Sequence, residues 1–166
     1  MEELRRLLAK IGVSEADMEK ALDNMKSWSK QVRMIESDNN PMAMPKNTTA
    51  KGVYQFVDAS VPVGKQRMRN VGFPEELIAS IPMNPQQWTD SQADNIFFGN
   101  VFAQDDSDPI LREIAMGNQM ARRQAYYKFH HTDPDEATML RTEKFIPVSN
   151  QPVDDLFTNY NKKNIY

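Results

Sequence analysis

Apolar residues recur along the first part of the chain at the three- and four-residue spacing of an amphipathic helix. Leu4, Leu7, Leu8 and Ile11 form one short stripe, and Gly12 follows where a left-handed helix cap fits. Ser14 is placed to cap a second helix with Asp17 in its first turn. Met18, Leu22, Met25, Trp28, Val32 and Ile35 then carry an apolar face up to Glu36. The next stretch, NNPMAMPKNTTA at 39–50, holds two prolines and several turn formers, which predicts a loop.

Further on the pattern is more broken. Residues 53–57 read as a short extended or irregular segment, and 58–68 as a brief helix interrupted by Pro62. Residues 73–81 begin with Pro74, Glu75 and Glu76, which suits the positive end of a helix dipole, and Pro82 stops that helix. Residues 90–103 contain FFGNVF, nearly apolar all round, and predict a deeply buried helix in which Gly99 permits close packing. DDSDP at 105–109 reads as a turn and helix start, and 110–130 as a helix broken near Gly117. No repeat and no hairpin signal occurs. The expected class is mainly α, with at most a small irregular or β segment.

Composition narrows the class without naming a function. A length of 166 residues with 40% hydrophobic and 26% charged content fits one folded domain. That domain is expected at 1–145, with 146–166, which carry two prolines and many polar residues, as a tail or docking arm. A net charge of -3 gives no general attraction for nucleic acid, and no nucleic-acid partner is expected. The absence of Cys excludes disulfides, thiolate metal sites and a cysteine nucleophile. No stretch approaches the roughly 20 apolar residues of a membrane span, and MEELRRLLAKIG lacks the pattern of a secretory signal.

Four segments carry a resemblance. IESDNNPMA at 35–43 is similar to a Glu-Ser motif at a helix end followed by a proline and a small residue, and AKGVYQF at 50–56 to a Gly-x-x-Gln stretch. NIFFGNVFA at 95–103 is similar to a helix with Asn-Ile, a glycine and then an aromatic residue, and Ala125-Tyr126-Tyr127 stands where Ala-Tyr-Asn is usual. Together, and in this order, they resemble the lytic transglycosylases related to soluble lytic transglycosylase, which share the goose-type lysozyme fold. The likeness covers about residues 15–135. It implies a lysozyme-like helical domain that cleaves the MurNAc-GlcNAc β-1,4 bond of peptidoglycan glycan strands, without cofactor or metal. The product would carry a 1,6-anhydroMurNAc end. A muramidase that hydrolyses the same bond, and an inactive structural module of the same fold, are the alternatives.

The resemblance makes Glu36 the catalytic residue, acting as acid and then as base. Such an acid must hold a proton near neutral pH, so a partly apolar groove is expected to raise its pKa. For Ser37 and Gln55 the resemblance implies contact with substrate or with the catalytic carboxyl; a helix-end cap and a surface amide are the plainer readings. It also implies that Tyr126 points its hydroxyl at Glu36 or the sugar. Gly52 allows backbone to approach a sugar or simply turns the chain, and Tyr54 is either core or a sugar-facing ring. Asn95 reads more as a tie between segments than as a direct ligand. Tyr127 departs from the usual Asn, which suggests a reshaped groove floor. Asp38 reads as an exposed turn residue, and HHTDPDE at 130–136 as a solvated loop rather than a metal site. A wall-cutting domain without a signal needs a delivery route, so a phage virion or the host cell envelope is the expected setting. The tail would then contact other virion or tail proteins.

Overall fold

The structure is a computed structural model and describes residues 2–148. Among these residues it is all helical: α1 (Glu2–Lys10), α2 (Met18–Ser37), α3 (Ser60–Asn70), α4 (Glu75–Ser80), α5 (Asp90–Phe102), α6 (Ser107–Ala115), α7 (Gln119–Phe129) and α8 (Glu136–Phe145). None of these helices is long and apolar enough to cross a membrane. The segment read as extended contains only one isolated antiparallel bridge, between Lys51 and Phe56.

The long helix α2 organises the molecule and packs against α1, α6 and α8. Its stripe is buried as expected, with Met18, Leu22, Met25, Trp28, Val32 and Ile35 all in the core. Trp28 packs on Phe97 of α5 at 5.2 Å between ring centroids and donates its indole N–H to the Arg122 carbonyl at 3.0 Å. The Ser14 hydroxyl accepts from the Asp17 amide at 3.3 Å, capping a short 3-10 turn that leads into α2. At the other end Asp38 and Asn39 both adopt left-handed backbone (φ 53° and 60°), and the Asn39 amide closes onto the Arg33 carbonyl at 3.2 Å. This stop leaves Glu36 and Ser37 in the last helical turn.

Pro62 does not interrupt α3. It is the third residue of the helix, where its missing N–H would have had no helical partner. Helix α5 is buried nearly all round, and Gly99 lets α3 come close: a Cβ there would stand 2.5 Å from Met68 Cγ and 3.3 Å from Met68 Cα. The break near Gly117 is real, with φ +99° at that glycine and the Asn118 side chain capping α7 through the Ala121 amide at 3.1 Å.

Two features depart from the sequence reading. Residues 131–135 form a loop in which Thr132, Asp133 and Asp135 are exposed, as read, but the His130 side chain before it is buried and Asp135 caps α8 by accepting from the Thr138 amide at 2.7 Å. The folded body also continues past 145. Ile146 and Val148 are buried, and Arg123 donates to the Ile146 carbonyl at 2.7 Å. The rest of the expected docking arm, 149–166, lies outside the described residues.

Candidate active site

A groove of about 690 Å³ opens beside the C-terminal end of α2, and Glu36 lines it together with Gln55, Arg67, Asn100, His130 and His131. The Glu36 side chain is only 8% exposed. Its Oε1 accepts from the Tyr126 hydroxyl at 2.6 Å and faces His131 Nδ1 at 2.9 Å. Tyr126 and His131 also approach one another, at 3.2 Å. Oε2 takes no hydrogen bond from the described residues, although it is not sealed in the interior.

His130 supports this group from behind. Its Nε2 lies 2.8 Å from the Tyr54 carbonyl, which can only accept, so Nε2 carries the proton and donates. The same nitrogen stands 3.8 Å from Glu36 Oε1. Tyr54 is fixed in turn. Its ring stacks on Phe97 at 4.4 Å, its hydroxyl donates to Asp94, and it accepts from Arg33 Nε at 3.1 Å. Asp94 also pairs with Arg33, so a largely buried guanidinium is matched by a carboxylate and a phenol.

The electrostatics reverse one expectation. Burial does push the Glu36 carboxyl up, but the His131 hydrogen bond, the charges of the two histidines and the Tyr126 hydrogen bond together outweigh it and hold the group below the ordinary value of 4.5. His131 is itself driven down by burial, yet Glu36, Asp135 and Asp133 more than compensate and raise it above 6.5. Burial lowers His130, against the pull of Glu36 and the Tyr54 carbonyl, which raise it. Tyr126 is pushed up by burial and by Glu36, so it stays a donor. Near neutral pH the protein without ligand thus holds a Glu36 carboxylate, which favours the protonated form of the His131 beside it.

The residues singled out from the sequence separate into two sets. Glu36, Gln55 and Tyr126 converge on the groove or on its carboxylate. Gln55, at φ 54°, lines the groove but spends its amide N–H groups on the Gly52 carbonyl (2.8 Å) and the Ala43 carbonyl (3.3 Å), not on Glu36. Ser37 does not line the groove and shares its hydroxyl between the Val53 and Arg33 carbonyls (2.8 and 3.2 Å), stapling the loop to α2. Gly52 faces Pro85, whose carbonyl oxygen a Cβ would meet at 2.9 Å, and its φ of +78° is one that glycine favours. Tyr54 is core and not a sugar-facing ring. Asn95 lines a different cavity, with Glu2, Glu3, Phe73 and Leu77. Tyr127 is buried with its hydroxyl toward Thr142, so its departure from Asn affects packing against α8 and not the groove floor. Asp38 is an exposed turn residue, as read, and pairs with Arg141, which also donates to the Met34 and Ile35 carbonyls (2.6 and 2.9 Å) and covers the end of α2.

Compared with protein-family models, curated proteins and solved structures, the chain gives no significant match to any of them. Among the described residues no cluster of three or more His, Cys, Asp or Glu stands ready to hold a metal ion. Asp133 and Asp135 do line the groove on the His131 side, so Glu36 is not its only carboxylate, although Asp135 is engaged in capping α8. The sequence reading missed His130 and His131. A usable signal was present: Tyr126 and His130 are four residues apart and share a helix face at the end of α7.

Proposed function

We propose that this protein cleaves the MurNAc-GlcNAc β-1,4 bond of peptidoglycan as a lytic transglycosylase of lysozyme-like fold, with Glu36 as acid and then base. One observation carries the reading: a nearly buried carboxylate at a helix end has one oxygen held by Tyr126 and His131 while the other is left unbonded beside a groove of about 690 Å³. That volume lies within the range of small-ligand sites, roughly 300–1,000 Å³, and suits a few sugar units. The motif order around residues 35–43, 50–56, 95–103 and 125–127 adds the substrate class.

A carboxylate cannot protonate a leaving group, so Glu36 must first take up a proton at Oε2, the oxygen left unbonded. When a neutral glycan covers the groove it strips water from the partly exposed His131. Burying an ion pair is costly, so as the ligand covers the groove His131 gives its proton to departing water while Glu36 takes one up at Oε2, which leaves two neutral groups. Glu36 then gives this proton to the glycosidic oxygen as the bond to MurNAc C1 breaks, while the sugar's own N-acetyl oxygen bonds to C1. The C6 hydroxyl next attacks C1, releases the acetyl oxygen and returns its proton to Glu36. The product is the 1,6-anhydro end, and no water is consumed.

Mass analysis of fragments released from purified peptidoglycan tests the proposal. Anhydro ends are expected. Reducing ends would make the protein a hydrolase, and no fragments would leave only a binding module. Glu36→Gln, which keeps the size of the side chain, should be folded and at least a hundredfold slower, in line with the roughly 10²–10⁴-fold typical of general acids.

A further inference from the structure

Arg67 is the unexplained charge of the groove. It sits in the last turn of α3, close in sequence to Arg69, which forms a two-pronged ion pair with Glu75. Arg67 has no such partner among the described residues; its single hydrogen bond runs from Nη1 to Asn100 Oδ1 at 2.8 Å. Asn100 is only 7% exposed and comes from the buried helix α5. The Asn100 carbonyl accepts from Gln104 Nε2 at 3.1 Å, and Gln104 also donates to the Phe129 carbonyl at 2.8 Å. A neutral amide thus aims the guanidinium without cancelling its charge. Most of its N–H donors stay available, in the planar fork that matches a carboxylate.

The position of this cation relative to Glu36 is informative. Arg67, Gln104 and Phe129 line both the Glu36 groove and a more open cavity of about 360 Å³, which Glu36 does not reach. Lys128 and Asp105 line that second cavity too. Lys128 has no ion-pair partner among the described residues and stands 5.5 Å over the Phe129 ring. Two cations against one carboxylate leave a positive excess where the groove continues beyond the site of cleavage. A chain of neutral sugars has no use for it.

We infer that Arg67, aimed by Asn100 and backed by Lys128, binds a free carboxylate on the peptide stem carried by the MurNAc lactyl group. The site thus selects glycan strands that still bear their peptides. This inference rests on the proposed glycan-cleaving function. A charge-assisted hydrogen bond contributes about 1.5–3 kcal/mol, so losing it costs roughly ten- to a hundredfold in kcat/KM on the substrate that makes it.

The test uses two preparations of uncross-linked glycan strands, one with the stem-peptide carboxylates free and one with them converted to amides by carbodiimide and ammonia, which leaves no lactyl carboxylate exposed. The protein with its native Arg67 should cleave the strands whose stem carboxylates are free with at least tenfold higher kcat/KM, mainly through KM. In Arg67→Gln, which keeps a donor for Asn100, that preference should collapse toward one, and Arg67→Lys should restore part of it. Equal rates on both substrates, or a loss in Arg67→Gln shared equally by both, would overturn the peptide subsite while leaving the glycan-cleaving reading intact. Cleavage of neither preparation would overturn both. Thermal melts of the variants establish that each is folded, and a variant Lys128→Gln should lower the same preference by a smaller factor.

Discussion

Replacing Tyr126 by Phe removes one hydroxyl and keeps the ring that packs 5.3 Å from Tyr127. The hydroxyl donates to Glu36 Oε1 at 2.6 Å in a buried setting. A hydrogen bond to a charged group there contributes about 1.5–3 kcal/mol, and one between neutral groups about 0.5–1.5 kcal/mol. Glu36 is held below its ordinary value of 4.5. Its carboxylate contacts therefore stabilise the fold fully above that value, and this stabilisation fades as pH falls through the lower folded-state value. Tyr126→Phe should accordingly lose about 1.5–3 kcal/mol at neutral pH and less in acid, where Glu36 is protonated in both proteins. Urea denaturation across this pH range, paired with carbon NMR of labelled glutamate carboxyls assigned through Glu36→Gln, measures both effects. The Glu36 titration should move upward in the variant. A stability loss that does not change with pH, or a titration that stays in place, would refute the carboxylate arrangement described for this site.

Loss of His131 should act on the alkaline side. His131 is raised above 6.5 by Glu36, so the pair stabilises fully below that value and loses its contribution as pH rises through the folded-state value; His131→Gln should flatten this decline in melts from mildly acid to alkaline pH. Gly99→Ala puts a Cβ 2.5 Å from Met68 Cγ. Overpacking costs about 1–3 kcal/mol, of which better helix propensity returns up to about 1 kcal/mol, so the melting temperature should fall; an unchanged or higher one would mean that α3 and α5 are not so close. Ile146→Ala should cost about 2–5 kcal/mol, whereas a residue in a loose arm would give no change in denaturation.

Helix α2 was legible because its apolar stripe is continuous and its exposed face is polar, which places Glu36 at its end without knowledge of the rest. The break at Gly117 and the stop at Pro82 were legible for the same local reason. Helix α8 was not. Its apolar positions are few, and Leu140 is 61% exposed, so no period emerges. The pair of Asp135 as cap and Glu136 in the first turn was its better signal. The capping box of Thr89 and Gln92 likewise marks the start of α5 more firmly than hydrophobicity does.

Site residues followed a different rule. Tyr126 meets Glu36 across 90 positions of chain, and His131 across 95, a closeness that no local pattern encodes. Ser37, Gly52 and Tyr54 were each open to a substrate-facing or a structural reading, and each is engaged by the scaffold. Buried polar groups must find partners. Tyr54 finds Arg33 and Asp94, and Arg33 lies within the long apolar run of α2, where a charged residue already calls for a counter-ion.

The double hold on Glu36 Oε1 has a directional consequence. A free carboxyl turns about its Cγ–Cδ bond and offers either oxygen from either edge. Tethered by a phenol on α7 and an imidazole just beyond that helix, this one is locked in torsion, so Oε2 meets whatever enters the groove from a single side. Any ligand that enters then finds no carboxyl rotation left to freeze out and meets the acceptor oxygen in one fixed orientation.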